Sequence, residues 1–369
     1  MLSAIEYVES LSPWPKDGFG LTRIKALLAE LGEPQLTYPS IHVVGSNGKS
    51  TVTRTIEELL AKQDLAVGAY LSPHVRGWSE RIRVRGAEAA FERAIERVRD
   101  AAERVGATQF ELVTAAALAE FAAAELDVAV VEAGLGGRYD ATNVLRSPVQ
   151  VLTNVALEHT EVLGTTREAI AGEKLAVVQP GSTVVITEPE WEQLARENGA
   201  ASVVVAARSN LGVALVAAEE FLGRPVDGHV DVRLPGRLEH VREEPLEIWD
   251  GAHNLAGVGY LLGRLPSVRY VVVASILADK DVEGMVAALS AVGSRFVATT
   301  SSSARALSAA DLAERAGRYF AEVEAINEPA GALTRARALG EPVLVTGSLY
   351  LLADLAKDES PAWRTLATG

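Results

Sequence analysis

The stretch of residues 41–51 constrains this chain most, because it joins a strand, a glycine-bracketed turn and the start of a helix. Residues 41–44 are mostly β-branched and predict a buried strand, and a helical pattern runs from Lys49 to about Lys62. A strand, a glycine-rich turn and a helix in this order form a common cradle for nucleotide phosphates. We therefore predict a nucleotide triphosphate site made of Gly45, Ser46, Asn47, Gly48, Lys49, Ser50 and Thr51.

The residue types in this turn suit phosphate binding. Its two glycines allow backbone N–H groups to approach an anion, and Lys49 can reach the outer phosphates. A hydroxyl group from Ser50 or Thr51 can face Mg²⁺. Val43 stands where a common P-loop has its first glycine, which argues against kinases and GTPases. The competing interpretation is a surface turn that precedes a helix.

Composition limits the class of protein. The 369 residues exceed what one hydrophobic core usually holds, so we expect two domains. The formal net charge of −14 argues against nucleic acid as a partner, and the lack of cysteine excludes disulfides and thiolate nucleophiles.

The first residues lack the features of a secretory signal, and no apolar run approaches the ~18 residues of a membrane span. We expect a cytoplasmic protein that contacts no membrane.

Polar side chains follow three predicted strands of the first domain. Buried strands end near Ser72 and on Glu132, and the strand at residues 149–155 leads to His159. Because the carboxyl ends of parallel strands meet at one edge of a sheet, these residues should lie beside the phosphate turn. We predict Glu132 as a Mg²⁺ ligand or a water-positioning acid, and His159 as a residue that ligates or positions a metal.

Charged residues between Arg76 and Arg85 interrupt this pattern. Such a run is usually a solvated face, but its place after a strand end also fits an ordered loop over the nucleotide or an anionic substrate. We expect helices after it, one reaching about Gly106 and one at residues 108–125.

Lys174 is unusual because arginine far outnumbers lysine in this chain. We expect it to lie early in a helix. It could be a plain ion-pair partner, or it could carry a carbamate, which needs a primary amine and adds an anionic ligand.

The pattern of alternating strands and helices restarts in the second half of the chain. A helix is predicted from Asn210 to Leu222, and residues 234–237 read as a linker. Four predicted strands follow at residues 246–249, 270–274, 295–300 and 342–348. We therefore predict an α/β protein with an N-terminal P-loop ATPase domain on a parallel sheet, residues 1–233, and a smaller Rossmann-like domain, residues 234–369.

Several motifs occur together in one order along the chain. They are Gly-Ser-Asn-Gly-Lys-Ser-Thr at 45–51, Ser-Pro-His at 72–74, Glu-Ala-Gly-Leu-Gly-Gly-Arg at 132–138, Glu-His-Thr at 158–160, Asp-Gly-Ala-His-Asn at 250–254 and Thr-Gly-Ser at 346–348. With these motifs the chain resembles the dihydrofolate synthase/folylpolyglutamate synthase family, whose members are amide ligases of the Mur ligase superfamily.

The resemblance implies roles for individual residues. It implies Ser72, Glu132 and His159 as Mg²⁺ ligands, together with a hydroxyl such as that of Thr51, and ATP in the phosphate turn. It further implies a carbamate on Lys174. The remaining implied contacts are with ATP for Arg237 and Asp250, with adenine for Asn210, and with the transferred phosphate or the incoming amino acid for His253. A requirement for K⁺ is left open.

The implied chemistry has two steps. A substrate carboxylate attacks the γ-phosphorus of ATP to give an acyl phosphate, and the amine of L-glutamate then displaces phosphate to form an amide. Lys49 and Arg237 would stabilise charge on the transferred group. The acceptor would be dihydropteroate, a folate or both, and the protein would work as a monomer.

The chain departs from the family at several positions. Ser46, Ser50 and Glu158 stand where the family has Thr, Gly and Asp, and the region between Arg208 and Leu234 is shorter. Two alternatives therefore stay open. One is a Mur-type ligase with another acceptor, such as a muropeptide or another cofactor acid, and the other is a regulatory protein that binds nucleotide without ligation.

Overall fold

A computed structural model describes residues 2–16 and 18–358 of the chain. The chain forms two compact units, with the boundary between Val232 and Arg233. Each unit is built on a mainly parallel β-sheet with helices, so the α/β prediction is confirmed. No helix within the two described ranges is both long and apolar enough to cross a bilayer.

One large sheet organises the first unit. Its strands are β1 Ser40–Val44, β2 Val67–Tyr70, β3 Ile82–Val84, β4 Ala87–Glu88, β5 Val128–Glu132, β6 Val149–Leu152, β7 Thr183–Ile186 and β8 Ser202–Val205. They form an eight-stranded sheet in the order β4-β3-β2-β5-β1-β6-β7-β8. All neighbours from β2 to β8 in this order are parallel, as expected for strands joined by helical crossovers.

The strand β1 lies in the middle of this sheet, so every one of its residues is buried. It pairs with β5 on one side and with β6 on the other, so Val43 is opposite Glu132 and Val44 is opposite Leu152. The turn after β1 therefore opens between the carboxyl ends of two neighbouring strands, where open α/β sheets hold their ligands.

Helices cover both faces of the sheet. They are α1 Ala4–Ser10, α2 Thr22–Glu30, α3 Lys49–Ala61, α4 Phe91–Val105, α5 Gln109–Ala123, α6 Thr160–Leu163, α7 Arg167–Leu175, α8 Glu192–Glu197 and α9 Asn210–Leu222. Alternate residues of β5 point to opposite faces. Val128 and Val130 pack with α3 and α9, whereas Ala129 and Val131 pack with α2, α4 and α5.

Of the two interpretations left open for the charged run, the structure supports the ordered segment and corrects that of a wholly solvated face. Residues 82–88 form the antiparallel hairpin β3–β4, which extends the sheet beyond β2. Ile82 is buried between two arginines and fixes the register of the hairpin, whereas Arg76 and Arg85 are exposed.

A second correction concerns Lys174, which lies in the last turn of α7 and not early in a helix. The helix begins after Thr166, whose side chain accepts a hydrogen bond from the backbone N–H of Ala169. This cap places the start of the helix before the region where the sequence pattern placed it.

The second unit is smaller and has its own sheet. Its strands are β9 Glu239–Glu243, β10 Leu246–Trp249, β11 Val271–Ala274, β12 Arg295–Ala298, β13 Glu322–Ala325 and β14 Val343–Thr346, in the order β13-β12-β11-β14-β10-β9. Only β9 is antiparallel to its neighbour among these described strands. The helices are α10 Leu255–Leu262, α11 Val282–Leu289, α12 Ala309–Ala316, α13 Pro329–Arg337 and α14 Leu349–Asp358.

Candidate active site

The turn between β1 and α3 has the backbone geometry of a phosphate cradle. Gly45 and Gly48 have φ angles of 146° and 82°, which side chains rarely adopt. A Cβ atom on Gly45 would lie 1.9 Å from the Oγ1 atom of Thr153, so only glycine fits there. Lys49 donates from Nζ to the carbonyl oxygens of Gly45, at 3.0 Å, and Ser46, at 3.2 Å. The ammonium therefore lies on the turn where phosphate oxygens would be held.

Residues 153–156, which follow β6, stabilise this turn through hydrogen bonds. Thr153 donates from Oγ1 to the carbonyl of Asn47 at 2.7 Å. Asn154 both accepts from the N–H of Asn47 and donates to its carbonyl, each at 3.0 Å. Sequence reasoning missed both supporting residues because it extended the strand to residue 155, whereas β6 ends at Leu152. The polar Thr-Asn pair after an apolar run is the signal that could have marked this end.

Glu132 is the buried carboxylate at the site. It is 1% exposed and lies at the end of β5. Ser50 donates from Oγ to Glu132 Oε1 at 3.0 Å, and the backbone N–H of Ser72 donates to Glu132 Oε2 at 3.1 Å. The structure thus joins the phosphate turn to two strand ends, as predicted. Of the two candidate hydroxyls, that of Ser50 contacts Glu132.

This arrangement fits a magnesium ion better than a metal held by protein side chains alone. The described part of the chain contains no group of three or more His, Asp or Glu side chains that could hold a metal. Mg²⁺ usually keeps several waters and is bound by one or two carboxylates together with substrate phosphates. Glu132 and Ser50, beside a phosphate turn, are the residues that could supply such ligands.

Lys174 and Glu158 form a buried ion pair behind the turn. Lys174 Nζ donates to Glu158 Oε1 and to the carbonyl oxygen of Gly45, each at 2.9 Å. Burial by itself would raise the pKa of Glu158, but the charges of Lys174 and Lys49 outweigh it and lower the pKa to about 2. Burial lowers the pKa of Lys174, with Glu158 acting in the opposite direction. The pair connects α7 to the phosphate turn.

In the chain, His159 directly follows Glu158. Its backbone is left-handed, with φ 46°, and it precedes the short helix α6. Its Nδ1 atom is 3.9 Å from Glu161 Oε1. A role for His159 as a metal ligand stays a prediction.

Asp250, Arg237 and His253 lie together in the second unit. The Asp250 carboxylate accepts hydrogen bonds from the backbone N–H groups of Leu238, at 2.8 Å, and Ala252, at 2.9 Å. Burial raises the pKa of Asp250, and the charge of Arg237 acts in the opposite direction. His253 Nδ1 is 2.9 Å from the carbonyl oxygen of Gly251. The structure therefore shows Asp250 organising this loop, and contacts of the three residues with ATP stay predictions.

Several known proteins are similar to this chain in sequence and fold. The family model of the Mur ligase middle domain matches residues 43–218, and that of the Mur ligase glutamate ligase domain matches residues 236–349. The dihydrofolate synthase/folylpolyglutamate synthase of Mycobacterium tuberculosis is 33% identical over 83% of this chain and 80% of its own length. The chain belongs to the dihydrofolate synthase/folylpolyglutamate synthase family of Mur ligases. It is an ATP-dependent ligase.

Other members of this synthase family support the same assignment. The Escherichia coli dihydrofolate synthase/folylpolyglutamate synthase is 32% identical over 96% of this chain and 94% of its own length. The solved structure of E. coli FolC in complex with DHPP and ADP has a TM-score of 0.86, 30% identity and coverage of 96% and 97% of the two chains. The solved structure of a bifunctional folylpolyglutamate synthase/dihydrofolate synthase with Mn, AMPPNP and L-glutamate bound has a TM-score of 0.85, 28% identity and coverage of 100% and 98%.

Asn210 lies beside the phosphate turn of this Mur ligase. A Cβ atom on Gly48 would be 2.6 Å from Asn210 Oδ1, so glycine at 48 leaves the space that this amide uses. The start of α9 therefore lies at the phosphate turn. The contact of Asn210 with adenine stays a prediction.

The ordered arginine segment also borders the ligase site. Arg81 donates from Nε to His74 Nδ1 at 3.0 Å, and its guanidinium lies 4.6 Å from the ring centroid of Trp78. Burial lowers the pKa of Arg81, with Tyr70 and Glu132 among the groups acting in the opposite direction. A partly desolvated cation of this kind suits an anionic substrate better than a solvated face would.

Proposed function

We propose that this protein joins L-glutamate to dihydropteroate, to a folate or folylpolyglutamate, or to both, in an ATP-dependent reaction through an acyl phosphate. The observation that carries the proposal is the phosphate turn at residues 45–51 with Ser50 on the buried Glu132. Relatives whose structures hold ADP, DHPP, AMPPNP and L-glutamate support the choice of substrates.

The chemistry follows from charge. In the first step an oxygen of the substrate carboxylate bonds to the γ-phosphorus, the bond to the β-phosphate oxygen breaks and ADP leaves. Lys49 neutralises charge that develops on the transferred group, and we propose a similar role for Arg237. In the second step the neutral amine of glutamate attacks the acyl carbon, phosphate leaves and one proton is released.

Glu132, Ser50 and Ser72 are the residues that we propose to hold Mg²⁺, with His159 and Thr51 as further candidate ligands. When bound, the ion would supply positive charge to the phosphates. The turn residues Gly45, Ser46, Asn47 and Gly48 would bind the phosphates through backbone N–H groups, and Asn210 and Asp250 would contact the nucleotide. His253 would lie near the incoming amino acid.

We propose Lys174 as a site of carbamylation. Its neutral amine would add to the carbon of CO₂ and release one proton, and burial favours the neutral amine because it lowers the pKa of Lys174. In the protonated ammonium form the residue is the ion-pair partner of Glu158. The carbamate would exchange that positive charge for a negative one beside the turn.

The unit assignment and the setting are also proposals. We assign ATP binding to residues 1–233 and the glutamate-ligase role to residues 234–369, and the matched family models support this division. A monomeric state, a cytoplasmic location and the absence of nucleic acid and membrane partners stay predictions from the sequence.

Phosphate release tests the proposal against its alternatives. We expect release on mixing the protein, ATP, Mg²⁺ and L-glutamate with dihydropteroate or tetrahydrofolate, and no release when either the pterin or glutamate is omitted. Release that requires a muropeptide instead would indicate another acceptor. ADP binding without release under any of these conditions would indicate a regulatory protein.

A further inference from the structure

One buried carboxylate that has not been assigned to the site accepts an unusual number of hydrogen bonds. Glu188 follows β7 and is 6% exposed. Its Oε2 atom accepts from the backbone N–H of Val155, at 3.0 Å, and from Trp191 Nε1, at 2.9 Å. Its Oε1 atom accepts from Arg167 Nη2, at 3.0 Å, and from Arg208 Nη2, at 2.9 Å. Both oxygens of the carboxylate are therefore fully engaged.

The first pair of donors leads to one side of the phosphate turn. Val155 is held on both sides, since its carbonyl also accepts from Arg167 Nε at 3.0 Å. The next residue, Ala156, donates from its backbone N–H to Ser46 Oγ at 2.9 Å. The segment that supports residues 45–47 of the turn is thus clamped at Val155 by Glu188.

Arg208, one of the second pair of donors, leads to the other side of the turn. Arg208 lies just before the cap of α9, where Ser209 accepts from the N–H of Gly212. The first residue of that helix is Asn210, whose amide oxygen occupies the space beside Gly48. One carboxylate therefore touches the two chain segments that flank the phosphate turn.

We propose that Glu188 is a positioning residue that holds the phosphate turn in the shape required for nucleotide binding. This inference rests on the proposed function only for the identity of the nucleotide. Without the carboxylate, the N–H of Val155 and the indole N–H of Trp191 lose their acceptor in a buried place, so the segment at 154–156 has to move to regain one. The turn then loses its support at Ser46.

Two variants and one control test this role. Glu188→Ala removes every acceptor, whereas Glu188→Gln keeps the shape but offers a single acceptor oxygen, so at least one of the two pairs of donors is left facing an NH₂ group. Glu190→Gln is the matched control, because Glu190 pairs with the same Arg167 but its side chain is 51% exposed. Dissociation constants for ADP, KM for ATP, kcat and KM for glutamate are measured together with the melting temperature.

We expect Glu188→Ala to raise both the Kd for ADP and the KM for ATP by roughly tenfold or more, since a hydrogen bond to a charged group contributes that order of magnitude. Glu188→Gln should raise them by a smaller factor, and Glu190→Gln should leave them within twofold. The KM for glutamate should not change in any variant. A purely structural role would lower the melting temperature and the active fraction without a selective change in nucleotide affinity.

A folded Glu188→Ala protein with wild-type affinity for ADP would overturn the inference. If Glu188→Ala does not fold, Glu188→Gln decides, and equality with Glu190→Gln overturns it. A wild-type protein that binds ADP but ligates nothing would contradict the proposed function and leave this inference standing. A wild-type protein that binds no ADP would contradict both.

Discussion

At the scale of single residues, buried charges determine how this site responds to substitution. The ammonium of Lys174 is 2% exposed and lies between the Gly45 carbonyl and Glu158. The Nζ atom of Lys174 therefore has to meet two requirements. It has to fit the small space beside the phosphate turn, and it has to carry either a proton or a carbamate. A substitution that preserves charge alone does not meet the requirement of fit, and arginine cannot carry a carbamate.

We expect Lys174→Arg to lower turnover by roughly tenfold or more, because guanidinium carries no carbamate and is larger than the ammonium it replaces. Phosphate release measures the loss, and ¹³C NMR of wild-type protein in ¹³C-bicarbonate distinguishes the two causes. A carbamate signal that is absent in Lys174→Arg supports modification. Lys25→Arg, at an exposed position of α2, is the control and should be fully active. Near-normal turnover of Lys174→Arg would discard the carbamate.

We expect the buried side chain of His42 to make the stability of the protein depend on pH. Burial lowers the pKa of this residue from 6.5 to about 3, so the folded protein keeps it neutral while the unfolded chain binds a proton below pH 6.5. The stability that it contributes is present above pH 6.5 and is lost as the pH falls toward 3. Lowering the pH from 7.5 to 5.5 should therefore reduce the free energy of unfolding by about 1.4 kcal/mol through this residue.

Urea unfolding of wild type and His42→Gln at several pH values measures this contribution. The difference between the two proteins isolates His42 from the other titrating groups, because those are common to both. His229→Gln, whose side chain is 95% exposed, should keep the wild-type slope. Identical slopes for wild type and His42→Gln would contradict the assignment.

At the scale of elements, the last turn of α7 is held in place by a close backbone approach. A Cβ atom on Gly137 would lie 2.6 Å from the carbonyl oxygen of Lys174 and 2.7 Å from that of Glu173. The loop after β5, which begins just after Glu132, therefore packs directly on the helix end that carries Lys174. Glycine is required here for contact and not for an unusual φ.

Gly137→Ala should lower the free energy of unfolding by about 1–3 kcal/mol, since backbone has to move to make room. It should also lower turnover, because the displaced helix end carries Lys174. Gly172→Ala is the control within the same helix, where a Cβ meets nothing within 4 Å. That variant should gain about 0.5–1 kcal/mol. Urea unfolding and phosphate release check both, and a Gly137→Ala protein as stable as wild type would contradict the packing argument.

At the scale of the whole molecule, each unit has its own hydrophobic interior. Three clusters of buried apolar side chains lie within residues 4–145, 41–230 and 44–203, and a fourth lies within residues 248–344. Each unit thus buries its own apolar surface, which is the main source of folding free energy.

We expect residues 1–232, expressed alone, to unfold in one cooperative transition and to bind ADP through the turn at residues 45–51. The fragment should not ligate, because Arg237 and Asp250 are absent from it. Calorimetry with and without ADP measures both properties, and the full chain under the same conditions is the reference. A fragment that shows no heat-absorption peak would contradict the independence of the first unit.

The sequence alone determined the elements that depend on local pattern. The strand, turn and helix at residues 40–61 and the bounds of α9 and β10 follow from apolar periodicity, glycines and capping side chains within a few residues. Only the tertiary structure decided which distant residues meet. The contact of Ser50 with Glu132, the pairing of Lys174 with Glu158 and the pairing of β3 with β2 depend on strand register and helix position across the intervening residues. Local sequence carries no direct record of such pairings, because they form only when the sheet is assembled.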